Sequence, residues 1–168
     1  GYNRVDFTFE ADDLAYYQTG TEGEYIPMPV SQLSTTAKTA SETPLTLVLN
    51  NGLFASILEA QVVNYPRSLL ARRADDSATL TTLPVDDALS GTHSLPNQTP
   101  WRVVLVADNA PALAMSGELL DMLNPSTVLT DTTWIRPGVA MRIMRLSTAG
   151  ARDVIAFAAA HGIDYVEF

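Results

Sequence analysis

Apolar and polar side chains alternate along Val5-Asp6-Phe7-Thr8-Phe9, the period-two pattern of a strand with one face on a core. Two denser apolar runs follow, Leu45–Leu49 and Phe54–Glu59, joined by Asn50-Asn51-Gly52. An Asn-Gly step accepts the positive φ angles of a tight turn, so the two runs are predicted to pair as a β-hairpin. Leu69–Arg73 and Ala78–Leu83, on either side of Ala74-Asp75-Asp76-Ser77, predict a second hairpin. Trp101–Ala107 holds an unbroken Val-Val-Leu-Val run and reads as a strand covered on both faces. Gly20–Leu33 mixes Gly, Pro and acidic residues without periodicity, which suits a long loop lying over a sheet.

The period changes after Asp108. That residue can cap a helix starting near Ala110-Pro111, since Pro is tolerated in a first turn. Leu113, Leu119, Leu120 and Leu123 are only loosely helical in spacing and Ser116-Gly117 interrupts them, so two short turns are expected. One regular helix is predicted over Thr148–Ala160, capped by Ser147 or Thr148 and closed by Gly162, with Val154, Ile155, Phe157 and Ala158 as its apolar stripe. Tyr165–Phe168 then reads as a strand. A helix followed by a single strand is how a parallel α/β unit opens, and such a sheet needs cover on both faces. The closing stretch is therefore expected to belong to a larger unit, and the chain to be a piece of a larger protein that is mainly β up to that point.

Composition narrows the chemistry. A chain of 168 residues, 46% of them apolar, can bury one ordinary core. The absence of Cys excludes a disulfide scaffold, a thiolate zinc site and a thiol nucleophile. A net charge of −9, with Lys38 the single lysine, argues against nucleic acid as a partner. Asp6, Glu10, Asp12, Asp13, Glu22, Glu24, Glu42 and Glu59 face only Arg4 and Lys38 early in the chain and read as a solvated acidic surface. No apolar run approaches the roughly 20 residues that span a bilayer, so no membrane span is expected. Gly1-Tyr2-Asn3-Arg4 carries neither the basic nor the apolar region of a targeting signal.

Candidate catalytic groups are scarce. There is no Gly-rich phosphate loop and no Gly-x-Ser-x-Gly elbow, and neither His93 nor His161 has a metal-ligating residue four positions on. Glu59 stands out because it interrupts an apolar strand, and a carboxylate there must either face solvent or find a partner. Trp101 and Trp134 could stack on sugars, but Trp in such places more often plugs a joint between structural units. Arg102 and Arg136 follow them closely and suit bidentate pairing to carboxylates such as Asp131 or Asp108.

Four stretches, in order, resemble glycoside hydrolase family 97: Thr99-Pro100-Trp101-Arg102-Val103-Val104, Leu123-Asn124-Pro125-Ser126, Asp131-Thr132-Thr133-Trp134-Ile135-Arg136-Pro137-Gly138, and Phe157–Phe168. A weaker match covers Leu45–Tyr65, with Pro44-Leu45-Thr46-Leu47 and Ile57–Tyr65 similar to paired strands late in that family's N-terminal domain. The resemblance implies part of a β-sandwich (super-sandwich) domain over 1–135 and the first elements of a catalytic (β/α)8 barrel over 136–168. It implies an α-glycosidase acting on α-linked glucosides or galactosides, periplasmic or secreted, whose partners are an oligosaccharide substrate and the remainder of the barrel. Catalytic carboxylates are expected beyond Phe168, so no catalytic residue is assigned here. It also implies that a Glu of the N-terminal domain joins barrel glutamates around a calcium ion, and Glu59 is the position that fits. After Pro137-Gly138 the chain departs from many relatives, with Val139-Ala140-Met141-Arg142 where they carry Lys and then tryptophans. From the residues alone, a non-catalytic carbohydrate-binding or structural β-sandwich remains the alternative, since a fold does not fix a function.

Overall fold

The structure, a computed structural model, describes residues 4–20, 22–85 and 98–167. The Asn-Gly hairpin forms where expected. Strand β4 (Leu45–Val48) pairs antiparallel with β5 (Phe54–Ala60), and the positive φ of +87° falls on Gly52, whose N–H donates to the Leu49 carbonyl at 2.9 Å. The second hairpin, β6 (Ser68–Arg72) with β7 (Thr79–Pro84), is also as the sequence pattern places it. β1 (Asp6–Thr8) adds antiparallel to β7.

Two strands depart from expectation. β2 (Leu14–Tyr17) pairs with β4, and β3 (Ile26–Pro29) pairs with β2 inside the stretch read as a loop. Pro27 and Pro29 hide β3 from pattern reading, yet it lies at a sheet edge, the one place where a strand tolerates missing N–H donors. β8 (Trp101–Ala107) closes the opposite edge by pairing with β5, giving a five-stranded sheet in the order β3-β2-β4-β5-β8 and a three-stranded sheet in the order β1-β7-β6.

One buried cluster joins the two sheets face to face: Ala15, Leu45, Leu47, Ala55 and Ile57 from the larger sheet with Leu70 and Leu80 from the smaller, closed by Val30 and Leu33. This is a β-sandwich core. A second cluster lies on the outer face of the larger sheet, where Leu58, Ala60, Val103 and Leu105 meet α1 (Ala110–Met115) and α2 (Glu118–Leu123) through Leu113, Leu120 and Leu123. These are the two short turns expected, but the cap is Asn109 rather than Asp108: the Asn109 side chain accepts from Ala112 N–H at 2.9 Å. β8 is not covered on both faces. Val104 and Val106 are exposed because the strand is an edge with no facing sheet above them.

Two of the early acidic residues leave the solvated surface, Asp13 here and Glu59 at the candidate site, and Asp6 joins a charged network. Asp13 is buried, accepting from Asn50 N–H at 2.8 Å and Glu10 N–H at 2.9 Å, so it ties the approach to β2 onto the β4–β5 turn. Asp6 lies between Arg4 and Arg73, each at 2.9 Å. Chiefly through the Arg4 hydrogen bond, its carboxyl is lowered from 3.8 to about 2. A depressed carboxylate contributes stability above its unfolded value and loses it as pH falls through the folded one. The melting temperature is therefore expected to drop between about pH 4 and pH 2, and Asp6→Asn to flatten that part of the profile. The effect is small, because the pair is partly solvated and salt-screened.

The chain divides into two compact units, Gly1–Ser126 and Thr127–Phe168. The second holds β9 (Ala140–Arg142), α3 (Thr148–Ala160) and β10 (Tyr165–Glu167), with β9 and β10 parallel and α3 as the crossover. α3 begins and ends as the sequence predicts. The Ser147 hydroxyl accepts from Gly150 N–H at 3.1 Å, and Gly162 takes a positive φ of +65° past the helix end.

Candidate functional site

Antiparallel pairing of β5 with β8 sets Glu59 directly opposite Arg102. Residues so opposed share a sheet face, here the face carrying Ala55 and Ile57 into the sandwich core. Glu59 therefore does not face solvent; its side chain is 6% exposed and that of Arg102 11%. Arg102 Nη1 donates to Glu59 Oε1 in an ion pair. The second carboxylate oxygen, Oε2, accepts from Ser68 N–H at 2.7 Å, and Arg102 Nη2 donates to Ser68 Oγ at 3.0 Å. The closed ring links β5, β8 and β6, so it spans both sheets. Arg102 Nε is buried with no hydrogen-bond partner among the described residues.

Arg102 thus meets Glu59, not Asp108 or Asp131, because strand register and not sequence proximity decides its neighbour. Arg136 donates from Nε to the Thr133 carbonyl at 3.1 Å instead of pairing with a carboxylate. Trp101 is 50% and Trp134 65% exposed. Trp101 opens an edge strand, and Trp134 sits in a turn where its Nε1 donates to the Asp131 carbonyl at 3.0 Å. Thr133 N–H and hydroxyl both donate to Asp131 Oδ1, at 3.0 and 2.6 Å, and hold that carboxyl below the usual carboxylate range. His161 is exposed at the end of α3, with its ring stacked on Phe157 and Nδ1 2.8 Å from the Phe157 carbonyl oxygen. His93 lies outside the described residues.

Calcium is the group that the resemblance implies at Glu59. The donor chemistry fits, since a carboxylate is a hard anionic oxygen ligand and each of its oxygens keeps a lone pair beyond the one given to its present partner. The hydrogen bond from Ser68 fixes its orientation, as outer partners do for metal-bound carboxylates. Calcium takes six to eight oxygens. Among the described residues no group of three His, Cys, Asp or Glu side chains gathers to supply them.

The family profile described as glycosyl-hydrolase 97 N-terminal matches residues 3–125, nearly three quarters of the sequence. The chain belongs to glycoside hydrolase family 97. Solved structures of this fold include a family 97 enzyme from Pseudoalteromonas sp. strain K8 in complex with panose, at TM-score 0.69 and 20% identity, covering 96% of this chain and 27% of that one. The same organism's enzyme in complex with acarbose aligns at TM-score 0.68 with equal identity and coverage. A β-arabinopyranosidase aligns at TM-score 0.69 and 20% identity, over 96% of this chain and 30% of its own length. The family 97 chain therefore spans under a third of these relatives and shares their fold. Among its described residues no helix is long and apolar enough to cross a membrane.

Proposed function

We propose that this chain is the later part of the N-terminal sandwich, 1–135, and the opening of the catalytic barrel, 136–168, of an α-glycosidase acting on α-linked glucosides or galactosides. The observation that carries the reading is the order of architectures: a sandwich matching the family profile runs into a parallel β9-α3-β10 unit, the repeating element of a (β/α)8 barrel. Relatives of this fold bind panose and acarbose, both oligosaccharides, which supports an oligosaccharide substrate here. The β-arabinopyranosidase adds a pentopyranoside as a further substrate to be tried. Periplasmic or secreted placement, which the family resemblance implies, is part of the same proposal.

In this reading Glu59 is the ligand that the sandwich contributes to a calcium ion, with the other oxygens coming from barrel residues outside the chain. The ion would supply fixed positive charge at the substrate site. What this chain's residues do is hold Glu59: the Ser68 amide aims the carboxylate and the β5–β8 register fixes its height at the end of the core.

Glycoside hydrolysis requires two carboxyl groups flanking the scissile bond, about 5 to 9.5 Å apart. Among the described residues buried Asp13 is already engaged by two backbone amides, and the nearly covered Glu59 side chain by Arg102 and Ser68. The expected result is therefore that the 168-residue chain releases p-nitrophenol from α-glucoside, α-galactoside and β-arabinopyranoside at the blank rate, while the whole protein turns over one of the two α-glycosides. Turnover by the chain alone, or none by the whole protein on any α-glycoside, would overturn the proposal.

A further inference from the structure

We infer that Arg102 is the built-in counter-ion of Glu59, and that a divalent cation binding this carboxylate competes with the Arg102 guanidinium and drives it away by charge repulsion. The inference rests on the calcium reading above and adds to it a residue that sets how tightly the cation is held.

Three observations carry it. Glu59 is nearly buried at the core face, and a buried carboxylate left without an opposite charge is costly, so the ionised form of Glu59 calls for a cation beside it. Arg102 is that cation in this structure, and it is placed there by strand register, not by a flexible loop. The two contacts on Glu59 are also separable. Ser68 N–H holds Oε2 and Arg102 holds Oε1, so the guanidinium can leave while the amide keeps the carboxylate aimed.

Arg102 has somewhere to go. It lies on an edge strand, and its neighbour on the same face, Val104, is exposed, so the guanidinium can swing outward along the open side of β8. Its Nε has no hydrogen-bond partner where it is, so leaving abandons one ion pair and the Ser68 hydroxyl contact, not a fully satisfied fork. A guanidinium that stays beside Glu59 would repel the incoming divalent ion. The positive charge on Arg102 and the positive charge of the ion thus compete for one carboxylate, while the Ser68 amide positions it for either.

The experiment is calcium titration by isothermal calorimetry on the whole enzyme and on its Glu59→Gln, Arg102→Gln and Arg102→Lys variants, with melting curves in chelator and in calcium. Arg102→Gln should bind calcium on the order of tenfold more tightly than the parent. It should also melt lower than the parent in chelator and recover in calcium, because only the ion then neutralises Glu59. Arg102→Lys, whose single ammonium grips a carboxylate less firmly than a guanidinium fork, should show a smaller gain of the same sign. It serves also if the Gln variant fails to fold. Unchanged or weaker calcium binding in both Arg102 variants, with binding lost in Glu59→Gln, would overturn the competition while leaving the calcium reading intact. Undiminished calcium binding in Glu59→Gln would instead remove the calcium reading, and the competition with it.

Discussion

Leu47→Ala is expected to lower the unfolding free energy by about 4 to 5 kcal/mol, the upper part of the range for buried Leu→Ala changes. Leu47 is fully buried on the central strand of the larger sheet. Its register partners on both sides are small: Ala15 on β2 and Ala55 on β5. Neither can extend into the space left by the three lost heavy atoms, Cγ, Cδ1 and Cδ2, and both are fixed by ladder hydrogen bonds. The cavity therefore stays open, and the penalty grows with residual cavity volume. Met122→Ala, on the exposed face of α2, provides the contrast and should change stability by no more than about 0.5 kcal/mol. Urea denaturation of the two variants beside the parent checks both. A Leu47→Ala midpoint near that of Met122→Ala would mean that the inter-sheet cluster is not the core on which the sandwich depends.

Local signals in the sequence translated directly into structure. Asn50-Asn51-Gly52 forces a turn whatever surrounds it, and the Ser147 cap with Gly162 brackets α3 at both ends, so the hairpin and the helix were legible residue by residue. Signals that depend on distant partners were not. Leu14-Ala15-Tyr16-Tyr17 becomes a strand because β4 is there to pair with it, and β3 survives two prolines only because it is an edge. The apolarity of Trp101–Ala107 reads as burial, but nothing in a single strand says that it will lie at a sheet edge with Val104 and Val106 uncovered. Asp108 and Asn109 are adjacent caps of similar strength, and the choice between them is made by backbone geometry at the end of β8.

The candidate site divides the same way. That Glu59 must be solvated or paired follows from one charged residue in an apolar run. That the partner is Arg102, 43 positions away, and that Ser68 completes the ring, follows only from register across two sheets. The burial of Asp13 was likewise invisible in a run of acidic residues, since it arises from two backbone amides that the turn geometry turns toward it.

The closing α/β unit is proposed above as the opening of a catalytic barrel whose other elements lie outside these residues. Hydrogen exchange read by mass spectrometry tests it most directly, because local protection reports how well each segment's backbone hydrogen bonds are covered. Many of the apolar side chains in that unit are exposed, among them Val139, Met144, Leu146, Ile155, Phe157 and Tyr165, and its sheet consists of two three-residue strands. A two-stranded sheet is marginal without further cover. In the isolated chain, amides from Ala140 to Glu167 should exchange orders of magnitude faster than those of β4, β5 and β7, and in the whole enzyme the same segment should become protected. Uniform protection from β4 through β10 in a monomer of this chain would overturn the barrel proposal and show that the 168 residues behave as one self-sufficient domain.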